Sequence, residues 1–190
     1  MGYIIVDVET APLDRKEYES REPDAERKKL LNPIDSKIIA IGLKKKGEAA
    51  AVFMGSDEAQ LLTDFWKEIS KSKSLSTKIV GFNIKDFDLP FLVTRSFVNN
   101  VEIVPFIVKE VLDLREKLSA YKFGNVRGKL KEFADFLSID KMDMDGSDVA
   151  GEYWAGNTKK IGDYLKKDLE ITEAIYQRIV RLKIDRIERW

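Results

Sequence analysis

The chain has 190 residues, of which 44% are hydrophobic and 35% charged. That length suits one domain of roughly 100–200 residues, and the composition excludes a disordered or low-complexity chain. Cysteine and histidine are both absent, which removes disulfides, thiol nucleophiles, Cys- or His-ligated zinc and serine–histidine chemistry. Carboxylates, Lys, Tyr and Ser/Thr remain, and a bound metal would be one that takes oxygen ligands, Mg²⁺, Mn²⁺ or Ca²⁺. The 33 basic residues balance 33 acidic ones, so no net charge advertises a polyanionic partner. No apolar run approaches the ~18 residues that cross a bilayer. The N-terminal MGYIIVDVET lacks a basic n-region. The expectation is one soluble, cytoplasmic domain over 1–190. Abundant Lys and Glu faintly suggest a thermophile.

Tyr3–Val8 reads as a strand buried on both faces. Residues 11–36, charged and carrying Pro12, Pro23 and Pro33, read as a long loop or insert with one short helix near Asp24–Leu31. Lys37–Lys44 and Glu48–Met54 flank Lys45-Lys46-Gly47 as a hairpin. Ser56 is expected to cap a helix over Asp57–Ser70, with Leu61, Leu62, Phe65, Trp66 and Ile69 on its apolar side. Lys78–Gly81 is a short strand, and a helix follows over Asp86–Val98. A strand or turn near Ile103–Val108 leads to Val111–Leu118. A further helix is expected over Lys129–Leu137, a short helix or turn over Asp148–Trp154, and a long final helix with Thr158 as its N-cap, carrying Ile161, Leu165, Leu169, Ile175 and Ile179 at helical spacing. The order describes one α/β domain, a mixed central sheet flanked by helices.

Three carboxylate features stand out. Acidic pairs one residue apart arise about six times by chance at this composition, so Asp7-Val8-Glu9 gains weight from context alone. Alternation puts both side chains on one face at the end of a buried strand. There they need Lys or Arg partners or a divalent cation. In Gly81-Phe-Asn-Ile-Lys-Asp-Phe-Asp-Leu-Pro, Asp86 and Asp88 read as first-turn acids favoured by the helix dipole, or Asp88 points toward the strand's carboxyl end, where α/β sheets bind ligands. Tyr164 and Asp168 lie at i,i+4 on one helical face, as site residues or as a packed ring beside a surface acid.

Together these features resemble the DEDDy-type 3′–5′ exonucleases of the ribonuclease H-like fold, and above all the proofreading exonuclease domains of family B DNA polymerases. The matching text is DVET, GFNIKDFDLPFL and YLKKDLEIT, in the right order, and VLDLREKL with KLKEFADFLSI resembles the intervening helical stretch. The resemblance implies a free-standing 3′–5′ exonuclease that hydrolyses the terminal phosphodiester of single-stranded DNA with two Mg²⁺ or Mn²⁺ ions and releases nucleoside 5′-monophosphates. Asp7, Glu9, Asp88 and Asp168 would hold the metals, with Asp7 shared between them, and Tyr164 would orient the attacking water. Asn83, Phe87 and Thr10 would contact the terminal nucleotide, against a packing role for Phe87. Tyr153 and Trp154, just before the last helix, read as a core plug in preference to a stacking platform.

Lysine clusters at 44–46, 71/73, 159/160 and 166/167 read as solvated faces or phosphate contacts. With no net charge, a recruiting protein partner is expected. Two alternatives stand beside this reading: an RNA-directed exonuclease of the same fold, and a catalytically silent nucleic-acid- or protein-binding module.

Overall fold

The computed structural model describes residues 2–22, 24–72, 77–122 and 128–188. Five strands form one sheet: β1 (Tyr3–Pro12), β2 (Ser36–Lys45), β3 (Ala51–Met54), β4 (Lys78–Gly81) and β5 (Leu112–Asp113). Their spatial order is β3-β2-β1-β4-β5. β1 pairs antiparallel with β2 and parallel with β4, and β4 pairs parallel with β5. The expected mixed α/β sheet is therefore present, with β1 at its centre and hydrogen-bonded on both edges.

Side-chain alternation along β1 divides the core. Ile4, Val6 and Val8 face one layer with α3 (Glu58–Ser72) and α4 (Asp88–Val98). Tyr3 and Ile5 face the other, where the long α8 (Thr158–Arg181) packs through Leu169, Ile171 and Ile175. Asp7 and Glu9 continue the second register, and so point toward α8. α8 comes close because β2 carries Gly42 opposite Asp7. A Cβ there would lie 2.7 Å from Leu169 Cδ1 and 2.9 Å from Leu165 Cγ. The pairing register shifts between Glu9 and Thr10, an irregularity of the kind that re-aims side chains near sites.

A buried ion pair locks α3 to α4. Arg95 Nη2 lies 2.6 Å from Glu58 Oε2, and its Nε donates to both Glu58 oxygens. Glu58 also accepts from the Ile38 N–H at 2.7 Å and Asn99 Nδ2 at 2.9 Å, so its lone pairs are satisfied and β2 joins the same knot.

Several boundaries differ from the sequence reading. β1 runs on to Pro12, paired with Ser36, so the segment expected as loop begins as strand. It then carries two short helices, α1 (Arg15–Ser20), capped by Asp14, and α2 (Asp24–Lys28). Tyr18 of α1 packs edge-on against Trp154 at 5.3 Å. Trp154 ends α7 (Val149–Trp154). This contact fits the plug role, since Tyr153 and Trp154 lie against the cluster holding Ala11, Ile161 and Leu165.

Asp57, not Ser56, caps α3, accepting from the Gln60 N–H. Asn157, not Thr158, occupies the cap position of α8 and makes no side-chain bond there. β3 starts at Ala51 rather than Glu48, and α4 starts at Asp88 rather than Asp86. Residues 103–107 form neither helix nor strand, and a single 3₁₀ turn, Val108–Glu110, precedes β5. Two helices follow β5, α5 (Leu114–Leu118) and α6 (Leu130–Phe136). Among the described residues no helix is long and apolar enough to cross a membrane.

Candidate active site

The carboxyl end of β1 and β4 opens into a cleft of 190 Å³, lined by Asp7, Glu9, Asp88, Tyr164 and Asp168, together with Asn83 and Phe87. Three elements deliver the acids. The strand register of β1 presents Asp7 and Glu9. The first residue of α4 presents Asp88, whose Oδ1 accepts the Val8 N–H at 2.9 Å, tying the helix to the strand between the other two acids. α8, held close by Gly42, presents Tyr164 and Asp168 from consecutive turns. One carboxylate oxygen from each of Asp7, Glu9 and Asp168 lies within 4.8 Å of the others.

That concentration of negative charge is electrostatically unfavourable. Burial, followed by repulsion from Asp88, Glu9 and Asp168, holds the Asp7 carboxyl well above its ordinary value. Glu9 is raised well above its own by burial and then by Asp168 and Asp88. Burial lifts Asp88 to about 7 and Asp168 to about 6. Asp7, Glu9 and Asp88 thus hold protons into the neutral range while Asp168 gives its proton up just below it, and a bound cation would displace those that remain. Burial and the neighbouring acids push the Tyr164 phenol far above its usual value. It stays protonated beside Asp168, so it acts as a donor and not as a base.

A buried cluster of oxygen-only donors, short of compensating cations and holding protons in their place, fits a hard divalent metal. The nearest basic group is Lys131 on α6. It lowers the proton affinity of Glu9 and Asp168 and stands 5.1 Å over the Tyr164 ring. Lys131 also donates to the Met142 carbonyl at 3.2 Å and lies 3.6 Å from Asp145. One lysine against four acids does not balance the site.

The turn that carries Asn83 and Phe87 is organised by a residue the sequence did not single out. Asp113, buried at the end of β5, accepts from the backbone N–H groups of Asn83 at 3.0 Å and Lys85 at 3.1 Å, and from Arg115 at 2.9 Å. It caps α5 and at the same time anchors the turn. Asn83 adopts φ +60, a left-handed conformation that Asn tolerates, and its side-chain oxygen accepts from Arg115 Nη1 at 2.9 Å. Asp113 was discoverable as a helix cap in VLDLREKL, because a lone acid after an apolar run before a helix signals that role.

Phe87 both lines the cleft and packs on Phe91 at 4.9 Å. Thr10 is buried in β1 and is not among the cleft-lining residues. Most lysines of the sequence clusters are ion-paired locally, Lys44 with Glu173, Lys45 and Lys71 with Glu68, Lys160 with Glu152 and Lys167 with Asp140. Lys73 lies outside the described residues. Phe82, Leu130 and Thr172 also line the cleft. All three lie within the segments that carry the family resemblance, but none was singled out there as a site residue.

Comparison with known proteins decides the family. Residues 36–188 match the model of a family described as a predicted 3′–5′ exonuclease related to the exonuclease domain of PolB. The chain belongs to that family. It is an enzyme of the 3′–5′ exonuclease class. No curated protein matches it. Among solved structures, the chain is similar to the family B DNA polymerase of the hyperthermophilic archaeon Pyrobaculum calidifontis, at a TM-score of 0.68 and 18% identity over 97% of its own length. It spans 25% of that polymerase's length. At that identity the likeness shows the fold, the ribonuclease H-like arrangement expected from the sequence.

Proposed function

We propose that this exonuclease removes nucleotides one at a time from the 3′ end of single-stranded DNA, in a site built from Asp7, Glu9, Asp88, Asp168 and Tyr164. The observation that carries the reading is the convergence of four carboxyls in one cleft, Glu9, Asp88 and Asp168 buried and Asp7 half-buried, each raised in proton affinity by burial. No other described group of acids brings three ligand atoms together in this way.

Asp7, Glu9 and Asp168 would hold one Mg²⁺ or Mn²⁺, and Asp7 with Asp88 a second. Bound there, the ions supply Lewis-acid stabilisation of the attacking and leaving oxygens. The protein's own groups do the rest. Asp7 is shared by both subsites, because it is central in β1 and lies beside Asp88. The Tyr164 hydroxyl, beside Asp168, is a polar group that orients the nucleophilic water by hydrogen bonding. Asn83 and Phe87 receive the terminal nucleotide. The water oxygen bonds to phosphorus and the P–O3′ bond breaks. The released nucleotide keeps the 5′-phosphate, and the shortened strand keeps a 3′-hydroxyl.

The whole described chain acts as one domain in this scheme, because every site element packs on the same sheet. DNA is preferred over RNA in this reading on the strength of the family's relation to a DNA polymerase domain. The test is chromatographic identification of the products from equimolar DNA and RNA strands in one reaction. Deoxynucleoside 5′-monophosphates appearing first support the reading. Ribonucleotides appearing first replace it with RNA turnover. Internal oligonucleotides would mark an endonuclease and sink it.

A further inference from the structure

Phe82, Phe133 and Phe136 form a continuous aromatic series that starts in the acidic cleft and ends in solvent. Phe82 lines the cleft. Its ring meets Phe133 edge-on at 5.7 Å, and Phe133 meets Phe136 at 6.4 Å. Phe136 is 82% exposed. An isolated exposed Phe would need no explanation, but this one terminates a row whose other end touches the site. The backbone crosses closely over the middle ring, because a Cβ on Gly128 would come within 2.6 Å of Phe133 Cε2. Gly128 thus packs against the Phe133 ring, and Phe136 meets the same ring and projects into solvent.

The series is aligned with α6. Leu130, in its first turn, also lines the cleft, so the helix runs outward from the cleft wall. From Leu130 to Phe136 the rise is ~9 Å at 1.5 Å per residue. Nucleotides stacked at about 3.4 Å spacing cover that span in two or three steps.

We propose that this row is a base-stacking track, with Phe136 as the platform for a base two or three nucleotides upstream of the scissile 3′ end of a single strand. The inference deepens the nuclease reading and rests on it. Two observations select a nucleic-acid strand as the occupant. The track is continuous with the cleft assigned to the 3′ end. In addition, the acids of α6 are occupied locally and do not stand as free charges against a phosphate backbone: Asp135 is paired with Lys141 at 2.6 Å, and Glu132 is turned back onto the Lys129 N–H. Any base offers a π-face, so such a platform is indifferent to sequence, as an exonuclease moving along a strand requires.

The experiment compares wild type, Phe136→Ala and Phe136→Trp in the full chain with Mn²⁺, on a dinucleotide and on a single strand of about ten nucleotides, within the range such grooves cover. Because the ring is solvent-exposed, melting curves of all three should coincide. The track predicts that Phe136→Ala raises KM for the longer strand about 5- to 100-fold, the worth of one stacked base. It predicts no change in kcat or in dinucleotide turnover, and recovery in Phe136→Trp. An unchanged KM for the longer strand overturns the proposal and leaves the patch to a protein contact. Equal losses on both substrates also overturn it, since they report damage to the cleft.

If wild type cleaves neither strand, the nuclease reading fails on its own. The track is then judged by fluorescence anisotropy of the labelled longer strand. Weaker binding by Phe136→Ala upholds it, and equal binding ends it.

Discussion

Replacing Asp88 by Asn should make the metal-free protein more stable at pH 8 while abolishing turnover. The asparagine oxygen can still accept the Val8 N–H that Asp88 Oδ1 accepts at 2.9 Å, and its amide N–H can donate to Asp7. The Val8 bond is thus kept and one buried charge is removed. Burial raises the folded-state carboxyl from 3.8 to about 7. A carboxyl raised on folding contributes stability that is fully present below its unfolded value, near 3.8, and lost as pH climbs through about 7. By pH 8 the loss is on the order of 4 kcal/mol, at 1.4 kcal/mol per pH unit. In a domain of this size each kcal/mol moves the melting temperature by about 2–4 °C, so the variant should melt on the order of 10 °C above wild type at pH 8. The gap should shrink steadily and nearly vanish at pH 4. Saturating Mn²⁺ should narrow it at pH 8 as well, because the second subsite, which Asp88 completes, exists only in wild type and is worth ~3 kcal/mol at a hundredfold excess over Kd. Differential scanning calorimetry in EDTA and in Mn²⁺ across this pH range reads all of it. A variant that melts at or below wild type at pH 8, or a gap that does not depend on pH, would refute the electrostatic account of the cleft.

Other perturbations separate structure from chemistry. Glu58→Gln strands Arg95 as a buried cation and should cost roughly 3–5 kcal/mol, measured by urea denaturation, with activity per folded molecule unchanged. Gly42→Ala places a methyl 2.7 Å from Leu169 Cδ1 and should cost about 1–3 kcal/mol through overpacking. Displacing α8 also moves Asp168, so kcat should fall as well. Tyr164→Phe keeps the ring under Lys131 but loses the hydroxyl. Steady-state kinetics should show kcat reduced on the order of 100-fold, as for a misplaced reactant, with KM little altered. No limb of the pH–rate profile should belong to this phenol.

Local periodicity made part of this molecule legible from its sequence. The period of two along β1 fixes Asp7 and Glu9 on one face whatever surrounds them, and the i,i+4 spacing does the same for Tyr164 and Asp168. The strand β4 spans Lys78–Gly81 as expected. Where contacts between distant segments decide the outcome, the sequence was silent. Lys131 reaches Tyr164 only because α6 docks beside α8. The Phe82–Phe133 contact likewise joins residues fifty-one positions apart, brought together by the fold. Asp113 has its second role only because β5 lies beside β4.

The helix starts slipped by one or two residues for a related reason. Asp57 and Asn157 compete with neighbouring Ser56 and Thr158 for the same cap chemistry, and chain direction on entry chooses between them. Residues 83–87 are held in a turn by the Asp113 bonds, which delays α4 to Asp88. β1 outran its hydrophobic stretch because Ser36 pairs with Pro12, a long-range choice that charge and proline content misread as loop.

The central claim is that the cleft around Asp7 is a metal-dependent 3′–5′ exonuclease centre. A gel time course on 5′-labelled single-stranded DNA tests it most directly, with Mn²⁺, Mg²⁺ or EDTA and with Asp7→Asn in parallel. The account predicts a ladder that shortens from the 3′ end with either metal and is absent both in EDTA and in the variant. Degradation that persists in EDTA or in folded Asp7→Asn, or an intact strand with wild type and metal, would contradict it.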